Sequence, residues 1–226
     1  MVREFSWLSM VQLKETLSSV GIVVSDSQIL LFQKYIDLIV SWNKRTNLVS
    51  RQDEARIVER HILESMAVLA AYQIQGNAQV IDIGSGAGFP ALPIRIIRPD
   101  LNFLLVESKR LKVLFLREVI ALLNLDCVEI ACDRAENLEN NPSYLSRFDF
   151  AFSRAVASLE IVYGWISKLM KPGGSLICWK GGDIKDEIKS LLLASPHLSV
   201  VIKKMDARLV KPERDKKFVQ MQIMKA

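Results

Sequence analysis

The sequence predicts an α/β protein with a mostly parallel, doubly wound sheet and an antiparallel hairpin at one edge of that sheet. Three observations support this prediction. Short apolar segments alternate with helical segments from Gln79 onward, the first apolar segment ends in a glycine-rich turn, and only a loop separates the last two. Strands joined through helices pair in parallel, whereas strands joined by a loop pair antiparallel.

Length and composition favour a soluble, intracellular chain. Its 226 residues are enough for one large domain, or for a domain with a small extension. No segment reaches the ~20 apolar residues that cross a bilayer, and the N-terminus resembles neither a signal peptide nor an anchor. The three cysteines lack C-x-x-C spacing, which favours a reducing cytoplasm over disulfides or zinc. The net charge of +5 favours an anionic partner such as nucleic acid.

Three helical patterns occupy residues 1–74, which we expect to pack on residues 75–226 as part of one compact unit. A short amphipathic helix is predicted over residues 8–20. Ser25 and Gln28 have the spacing of a capping box, which predicts the start of a second, strongly apolar helix. A third helix is predicted from about residue 54 to residue 72.

The rest of the chain alternates between predicted strands and helices. Strands are predicted at residues 80–84, 102–106, 127–131, 148–153, 175–179, 199–202 and 217–224. Helices are predicted at residues 91–97, 109–123, 158–169 and 184–193. The segment Pro172-Gly173-Gly174 is interpreted as a turn into the fifth strand. This order predicts five parallel strands followed by the edge hairpin.

The glycine-rich turn after the first strand is the main candidate for a ligand site. Gly84, Gly86 and Gly88 form G-x-G-x-G, a tighter pattern than the G-x-G-x-x-G of dinucleotide sites. Asp82 lies inside the strand, and Glu107 ends the next strand, where a carboxylate can accept hydrogen bonds from both ribose hydroxyls. S-adenosylmethionine has a ribose and no pyrophosphate, so the tighter loop suits it better than it suits NAD.

Several segments together carry a more particular signal. In chain order they are Trp42-Asn43-Lys44-Arg45-Thr46-Asn47-Leu48, DIGSGAGFP (residues 82–90), Glu107-Ser108, Asp133-Arg134-Ala135-Glu136, Ser153-Arg154-Ala155-Val156-Ala157 and LMKPGG (residues 169–174). Their combination resembles the bacterial small-subunit rRNA guanine-N7 methyltransferase family, RsmG (GidB), from about residue 30 to residue 181. The glycine loop and the Lys-Pro-Gly-Gly segment are generic to class I methyltransferases. The Gly-Phe-Pro, Ser-Arg-Ala-Val-Ala and Trp-Asn-Lys-Arg-x-Asn-Leu segments are more specific to this family.

The resemblance implies a class I S-adenosylmethionine-dependent methyltransferase, with a Rossmann-like, mostly parallel seven-stranded sheet, an antiparallel edge hairpin and N-terminal helices. It implies transfer of a methyl group from S-adenosyl-L-methionine to N7 of one guanine in 16S rRNA. The expected partner is 16S rRNA or the small ribosomal subunit, and the expected state is a cytoplasmic monomer without a membrane or obligate protein partner. Expected cofactor contacts are Asp82, Gly84, Ser85, Gly86, Gly88, Phe89, Glu107, Ser108, Ala135, Glu136 and Arg154.

The chemistry of guanine N7 explains which residues are absent. N7 bears a lone pair and no proton, so transfer requires alignment of the reacting atoms and no base. Accordingly, the Asn-Pro-Pro-Tyr and Asp-Pro-Pro-Tyr motifs that serve exocyclic amines are replaced after the fourth strand by Ser153-Arg154-Ala155. Arg154 is the main catalytic candidate, able to hold guanine O6, a phosphate or the methionine carboxylate. The alternative is a structural ion pair with Glu136 or Asp82.

Candidate substrate contacts are fewer and less specific. They are Asn47, His61, Lys109 and Lys180. A lone histidine on a helix is more often structural, and an isolated lysine is more often solvated. Basic residues also cluster at residues 44–51, at residues 109–112 and at residues 203–217, and we considered the last cluster as a flexible phosphate-binding loop.

Two positions depart from the family pattern, and three other functions stay open. Ala91 replaces a glycine that commonly follows Phe-Pro, and we expect it to tighten the start of a helix. Asp133 replaces a glycine that often precedes Arg-Ala-Glu, where it could change the cofactor's edge contacts. The alternatives are a small-molecule methyltransferase with a helical lid, a non-catalytic RNA-binding or ribosome-assembly protein, and a dehydrogenase that the glycine spacing disfavours.

Overall fold

A computed structural model describes residues 7–223 as a seven-stranded sheet with helices on both faces. The strands are β1 (Gln79–Ile83), β2 (Asn102–Val106), β3 (Val128–Ala131), β4 (Phe148–Arg154), β5 (Met170–Gly181), β6 (Leu198–Lys204) and β7 (Lys216–Ile223). The α-helices are α1 (Trp7–Ser19), α2 (Asp26–Asn43), α3 (Arg51–Glu54), α4 (Leu63–Ala71), α5 (Ala91–Ile97), α6 (Arg110–Leu123), α7 (Leu159–Ile166) and α8 (Lys185–Ala194).

The strand order confirms the predicted fold class. The order is β3-β2-β1-β4-β5-β7-β6, with β1 to β5 parallel. The final strand β7 lies between β5 and β6 and runs antiparallel to both. The strand order therefore switches at β1, because β2 and β3 are added on one side of it and β4 and β5 on the other. At such a switch point, the carboxyl ends of the two neighbouring strands β1 and β4 form a crevice suited to ligands.

The capping box predicted at the start of α2 is present in full. The Ser25 hydroxyl accepts from the Gln28 amide, and the Gln28 side chain accepts from the Ser25 amide. The Gln28 amide group also donates to the carbonyl of Ile96 at 2.8 Å, near the end of α5. The buried face of α2, including Phe32 and Ile36, belongs to the same hydrophobic core as the sheet. These contacts dock the N-terminal helices on the sheet layer.

The third predicted helix is present in its main part but differs at its start. The chain forms the short helix α3, leaves helical structure at residues 55–56, and then continues without a break through a π-helical turn at Val58–Ile62 into α4. A π turn is a rare distortion of an α-helix that is frequently found at functional sites. Here its widened turn carries His61, and the hydroxyl of Ser65 donates to the His61 carbonyl at 2.6 Å.

The segment Pro172-Gly173-Gly174 lies inside β5 and is not the predicted turn. The pairing of β4 with β5 shifts register between Phe148 and Phe150, which is a bulge in the ladder. A Cβ on Gly174 would lie 3.0 Å from the backbone oxygen of Lys171, so only glycine fits there without movement. The bulge allows β5 to continue through Pro172-Gly173-Gly174, although this sequence by itself is typical of a turn.

The segment between β6 and β7 packs into the core and contradicts the picture of a flexible basic loop. Met205, Leu209 and Val210 are all buried and belong to the main hydrophobic cluster. A 3₁₀ turn at Pro212–Arg214 then leads into β7. Within residues 7–223, no helix is both long and apolar enough to cross a membrane.

Candidate active site

The glycine loop follows β1 at the carboxyl edge of the sheet. Gly84 has a φ of +70°, and a Cβ there would lie 2.7 Å from Cγ2 of Val156 in the loop after β4. Gly84 is exposed and Gly86 is partly exposed, whereas Gly88 is buried. The first two glycines therefore present bare backbone to a ligand, between the ends of β1 and β4.

Glu107 binds the glycine loop from the end of β2. One carboxylate oxygen accepts from the Gly86 amide at 3.1 Å, and the other accepts from the Lys109 amide at 2.8 Å. The side chain is buried, whereas Ser108 and Lys109 are exposed. The structure thus brings together the strand-end acid and the glycine loop that the sequence separates by about twenty residues.

Asp82 lies beneath this loop without a hydrogen-bond partner. Neither of its carboxylate oxygens makes a hydrogen bond to the described residues, and the side chain is fully buried. Burial raises its pKa to about 7, against the smaller opposing effects of Ser85, Arg154 and the Ala91 amide. The hydroxyl of Ser85 donates instead to the main-chain oxygen of Asp82 at 3.0 Å. The carboxyl group therefore has acceptor capacity that the described residues do not use.

Arg154, at the end of β4, contacts His61 and Phe89. Its Nη2 lies 2.8 Å from Nδ1 of His61, and its guanidinium carbon lies 5.3 Å from the centroid of the Phe89 ring. The His61 ring stacks on Phe89 with centroids 4.7 Å apart and planes at 20°. The structural alternative for Arg154 was an ion pair with Glu136 or Asp82, and no carboxylate among the described residues lies within salt-bridge distance of it. Arg154 is thus a cation held by a neutral ring beside the glycine loop.

The protonation state of His61 follows from its surroundings. Burial and, to a smaller extent, the charge of Arg154 lower its pKa to about 3. A guanidinium has only donors, so Nδ1 must accept and the proton of the neutral ring resides on Nε2. That Nε2 atom is buried and has no partner among the described residues. His61 is therefore a neutral acceptor across the pH range in which proteins work.

Tyr35 is a site residue that the sequence analysis missed. Its hydroxyl donates to the carbonyl of Ala87 within the glycine loop, and its ring lies 5.5 Å from that of Phe89. A Cβ on Gly88 would come within 3.0 Å of the Tyr35 oxygen. The only available signal was its place on the apolar stripe of α2, which predicts burial but no partner.

Glu64 is the second missed residue, and it ties α4 to the C-terminal segment. It is buried, 2.6 Å from Nη1 of Arg214 and 3.6 Å from Nζ of Lys216. The contact with Arg214 is an ion pair whose angle falls outside hydrogen-bond geometry. The main-chain oxygen of Glu64 also accepts from the indole nitrogen of Trp179 at 2.9 Å. One buried acid thus joins elements from both ends of the chain.

The segment after β3 lies at the same edge of the sheet. Ala135 is buried, and the exposed Glu136 forms an ion pair with Arg134 at 3.3 Å. Asp133 accepts from the Arg134 amide and from the Asn137 side chain, both at 2.7 Å, and these bonds lower its pKa. The departure at Asp133 therefore organises the start of a 3₁₀ turn.

Ala91, the other departure, is fully buried at the first position of α5. A methyl group is accommodated there without exposure, next to the end of the glycine loop. This position agrees with the expectation that alanine, a better helix former than glycine, favours the start of this helix.

The two remaining candidate substrate residues differ in their surroundings. Asn47 is exposed and makes no side-chain hydrogen bond to the described residues, whereas Asn43 accepts from the amides of Leu48 and Val49. Lys180 donates to the carbonyl of Ala157 at 2.9 Å and to Glu187 at 2.7 Å. Its ammonium is therefore engaged inside the protein and does not face a phosphate site.

The cations of residues 203–217, from the end of β6 to the start of β7, are largely engaged as well. Lys203 donates to the Ala71 carbonyl at 3.1 Å, and its Nζ lies 4.2 Å from the centroid of the Tyr72 ring. Other cations of this segment form ion pairs. These pairs are Arg208 with Asp206, Lys211 with Glu59, Arg214 and Lys216 with Glu64, and Lys217 with Asp215. Most of the positive charge of this segment is thus balanced within the protein.

The described residues contain no metal-ligand cluster, and the thiol of Cys178 in β5 is buried. Residues 7–223 contain no cluster of three or more histidine, cysteine, aspartate or glutamate side chains placed to hold a metal ion. Cys178 is buried in β5, and burial raises the pKa of its thiol to about 12. It is therefore a packing residue and not an activated nucleophile.

Solved structures share the architecture at low sequence identity. A methyltransferase dependent on S-adenosylmethionine from Aquifex aeolicus is 17% identical, with a TM-score of 0.57, and the match covers 77% of this chain and 96% of that one. A chain of the fibrillarin/Nop5p complex is 15% identical, with a TM-score of 0.57, and the match covers 73% and 82%. These likenesses concern the fold alone, and they confirm the class I methyltransferase architecture.

Curated relatives are closer in sequence. The profile of the family described as rRNA small subunit methyltransferase G (GidB) matches residues 28–213. The ribosomal RNA small subunit methyltransferase G of Chloroflexus aggregans is 39% identical over 174 residues, which cover 77% of this chain and 73% of that protein. The protein of the same name from Carboxydothermus hydrogenoformans is 35% identical over 192 residues, which cover 85% and 81%. Since both the profile and the relatives span most of the chain, it belongs to the rRNA small subunit methyltransferase G family.

Proposed function

We propose that this protein transfers a methyl group from S-adenosyl-L-methionine to N7 of a specific guanine in 16S rRNA. Membership of an rRNA small subunit methyltransferase family supports the enzyme class and the substrate. The observation that carries the proposal is the placement of Arg154, a cation without a carboxylate partner, beside the glycine loop. Such a group can donate hydrogen bonds to the acceptor atoms on the edge of a base that lies next to the methyl donor.

The residues at the carboxyl edge fit the cofactor. Gly84 and Gly86 offer backbone that a side chain would obstruct, and Glu107 offers carboxylate oxygens to ribose hydroxyls. Asp82 is a buried carboxyl without a partner and so provides an acceptor for the ammonium group of the methionine moiety. When bound, the cofactor supplies an electrophilic methyl group. Ser85, Gly88, Phe89, Ser108, Ala135 and Glu136 complete the proposed cofactor surroundings.

The protein groups support an in-line displacement that needs no base. Arg154 donates to guanine O6, next to N7 on the same edge of the base, and so orients the N7 lone pair. Holding the two reacting atoms in line lowers the free-energy barrier to methyl transfer. His61 does not act as the base in this proposal, because its Nδ1 already accepts from Arg154 and its low pKa makes it a weak proton acceptor.

We assign the RNA surface to the end of α2 and the start of α6. Tyr35 contacts the glycine loop, and Trp42, about 10 Å further along α2, packs on Phe115 of α6 at 5.7 Å. The last turn of α2 therefore extends past the loop and over α6. Lys44, Arg45, Lys109 and Arg110 are exposed near these two helix ends and form no ion pair with the described residues. We call these four residues the rim cations.

We further propose that the working unit is a cytoplasmic monomer in which residues 1–74 and residues 75–226 act together. One hydrophobic cluster contains Phe32 and Ile62 from the first segment together with Phe103 and Phe115 from the second. Light scattering after size-exclusion chromatography checks this expectation, and a dimeric mass would contradict it.

Labelled S-adenosylmethionine tests the proposed reaction. The protein is incubated with naked 16S rRNA, with small ribosomal subunits lacking the modification, or with a metabolite pool. We expect label in 16S rRNA at guanine N7, located by chemical cleavage at 7-methylguanosine. Label in a metabolite would instead favour a small-molecule methyltransferase, and label at another base position would correct the assignment of N7.

A further inference from the structure

We propose that His61 is a positioning residue that directs the guanidinium of Arg154 through one neutral hydrogen bond and leaves its charge free for the substrate. This inference rests on the function proposed above and deepens it. In the sequence analysis, His61 is a candidate substrate contact. Its position favours a different role, because its Nδ1 contacts the cation and its Nε2 is buried.

The geometry holds Arg154 from two directions. The imidazole Nδ1 accepts from Nη2 at 2.8 Å, which fixes one edge of the guanidinium. The Phe89 ring lies 5.3 Å from the guanidinium carbon and restrains a second direction. The His61 ring is stacked on that same Phe89, so the acceptor and the aromatic platform form one packed unit. A long, flexible side chain is thereby held near one orientation.

A neutral acceptor has a consequence that a carboxylate lacks. A carboxylate at this position would bind the guanidinium through two parallel hydrogen bonds and compensate its charge. The imidazole occupies a single N–H and leaves the other donors and the full charge available for an incoming oxygen. Burial lowers the pKa of Arg154, and the acids Glu64 and Asp82 oppose this effect only at longer range, without occupying its donors.

Neighbouring charges keep the imidazole neutral. Burial is the largest cause of its lowered pKa, and the positive charges of Arg154, Arg214 and Arg60 add to it. Only the charge of Asp53 opposes them. The ring therefore stays an acceptor at Nδ1 at neutral pH, and the interaction with Arg154 does not switch on and off with pH.

The π-helical turn Val58–Ile62 determines where the imidazole lies. Its carbonyl at His61 is held by the Ser65 hydroxyl, and the turn continues into α4. Glu64, at the start of α4, is anchored in turn by Arg214 and Trp179. The backbone of His61 is thus fixed by contacts that do not involve Arg154.

Substitution with two side chains of equal shape separates this role from simple packing. In His61→Asn the amide oxygen stands in for Nδ1 as a neutral acceptor, whereas His61→Asp offers a charged acceptor of the same size. His61→Leu removes the acceptor and keeps apolar contact with Phe89. For methyl transfer to small subunits, we expect His61→Asn to keep kcat within about tenfold of the wild type. We expect His61→Asp and His61→Leu to lose about 100-fold in kcat, with smaller changes in KM.

Three results would overturn the inference. They are equal kcat for the Asn and Asp variants, no loss in the Leu variant, and equal loss in all three variants with unchanged melting temperatures. A second measurement is independent of rRNA activity. Nitrogen NMR of the wild-type imidazole should show the neutral ring with its proton on Nε2 from pH 5 to 9, and a protonated ring at pH 6 would contradict the proposal. Absence of transfer by the wild type would refute the proposed function and not this contact.

Discussion

Asp82 carries an ionisable group whose burial links the active site to stability. Its pKa rises from 3.8 to about 7, so the native protein keeps a proton that the unfolded chain has lost. Between about pH 4 and pH 7, this proton makes the free energy of unfolding fall as the pH rises. His61 acts in the opposite sense between about pH 3 and pH 6.5, because its pKa is lowered on folding. The pH dependence of the wild-type free energy of unfolding therefore combines the contributions of Asp82 and His61.

The Asp82→Asn variant isolates the carboxyl group. The substitution keeps the shape and removes the titration, so the wild type should lose up to about 4 kcal/mol of stability relative to the variant between pH 4 and pH 8. Urea unfolding of both proteins across this pH range measures the difference. A difference that stays constant with pH would show that Asp82 titrates normally in the folded protein.

Gly88 is the glycine at which a side chain has least room. Its φ is +91°, and a Cβ would lie 2.3 Å from Cδ1 of buried Leu92. We expect Gly88→Ala to lower the free energy of unfolding by about 2 kcal/mol or more, from the clash and the left-handed backbone together. Gly164, inside α7, has no atom within 4 Å of the same position and serves as the control. Gly164→Ala should stabilise the protein by up to about 1 kcal/mol, and equal effects in urea unfolding would refute this reasoning.

At the scale of elements, Glu64 links α4 to the turn that precedes β7. Its partners Arg214 and Lys216 are largely buried with it, so Glu64→Gln leaves two cations without a counter-charge. We expect a loss of about 3 kcal/mol in the free energy of unfolding. The control is Glu59→Gln, which removes the exposed pair with Lys211 and should cost less than about 1 kcal/mol. Similar losses in chemical denaturation would show that the Glu64 cluster is no stronger than a surface pair.

Element boundaries show where local sequence is sufficient. Helix α5 occupies the predicted residues 91–97, because its ends coincide with the glycine loop and with Arg98-Pro99. The start of the third helix and the turn at Pro172-Gly173-Gly174 differ from the prediction. The helix is interrupted at residues 55–56 and opens with a π turn, which local periodicity does not indicate, whereas pairing with β4 keeps the Pro-Gly-Gly segment within β5.

For the whole molecule, the distribution of balanced and unbalanced charge predicts where RNA binds. The rim cations are free of ion pairs with described residues, whereas the cations between β6 and β7 are mostly paired. The double variant Lys44→Gln/Arg45→Gln should weaken binding to small subunits about tenfold and reduce the slope of log affinity against log salt by about one to two. Arg208→Gln/Lys211→Gln removes the same formal charge and should leave the slope nearly unchanged. A larger effect in the second variant would return the RNA surface to the C-terminal hairpin.

The sequence alone determined the fold class, the glycine loop, the strand-end acid Glu107 and the place of Arg154 at the end of a strand. These features depend on periodicity, on turn chemistry and on motifs that lie within short segments. The sequence therefore also determined the family, since motif order does not require coordinates.

Only the tertiary structure decided which groups surround Arg154. His61, its hydrogen-bond partner, lies 93 positions away in the chain, and Trp179 reaches Glu64 across 115 positions. Such contacts arise from packing the N-terminal helices onto the carboxyl edge of the sheet, which no local pattern encodes. The same packing left the carboxyl group of Asp82 unpartnered, engaged Lys180 and most hairpin cations, and left the rim cations free of ion pairs. The physical reason is that burial and pairing depend on neighbours in space, whereas residue type and spacing depend on neighbours in sequence.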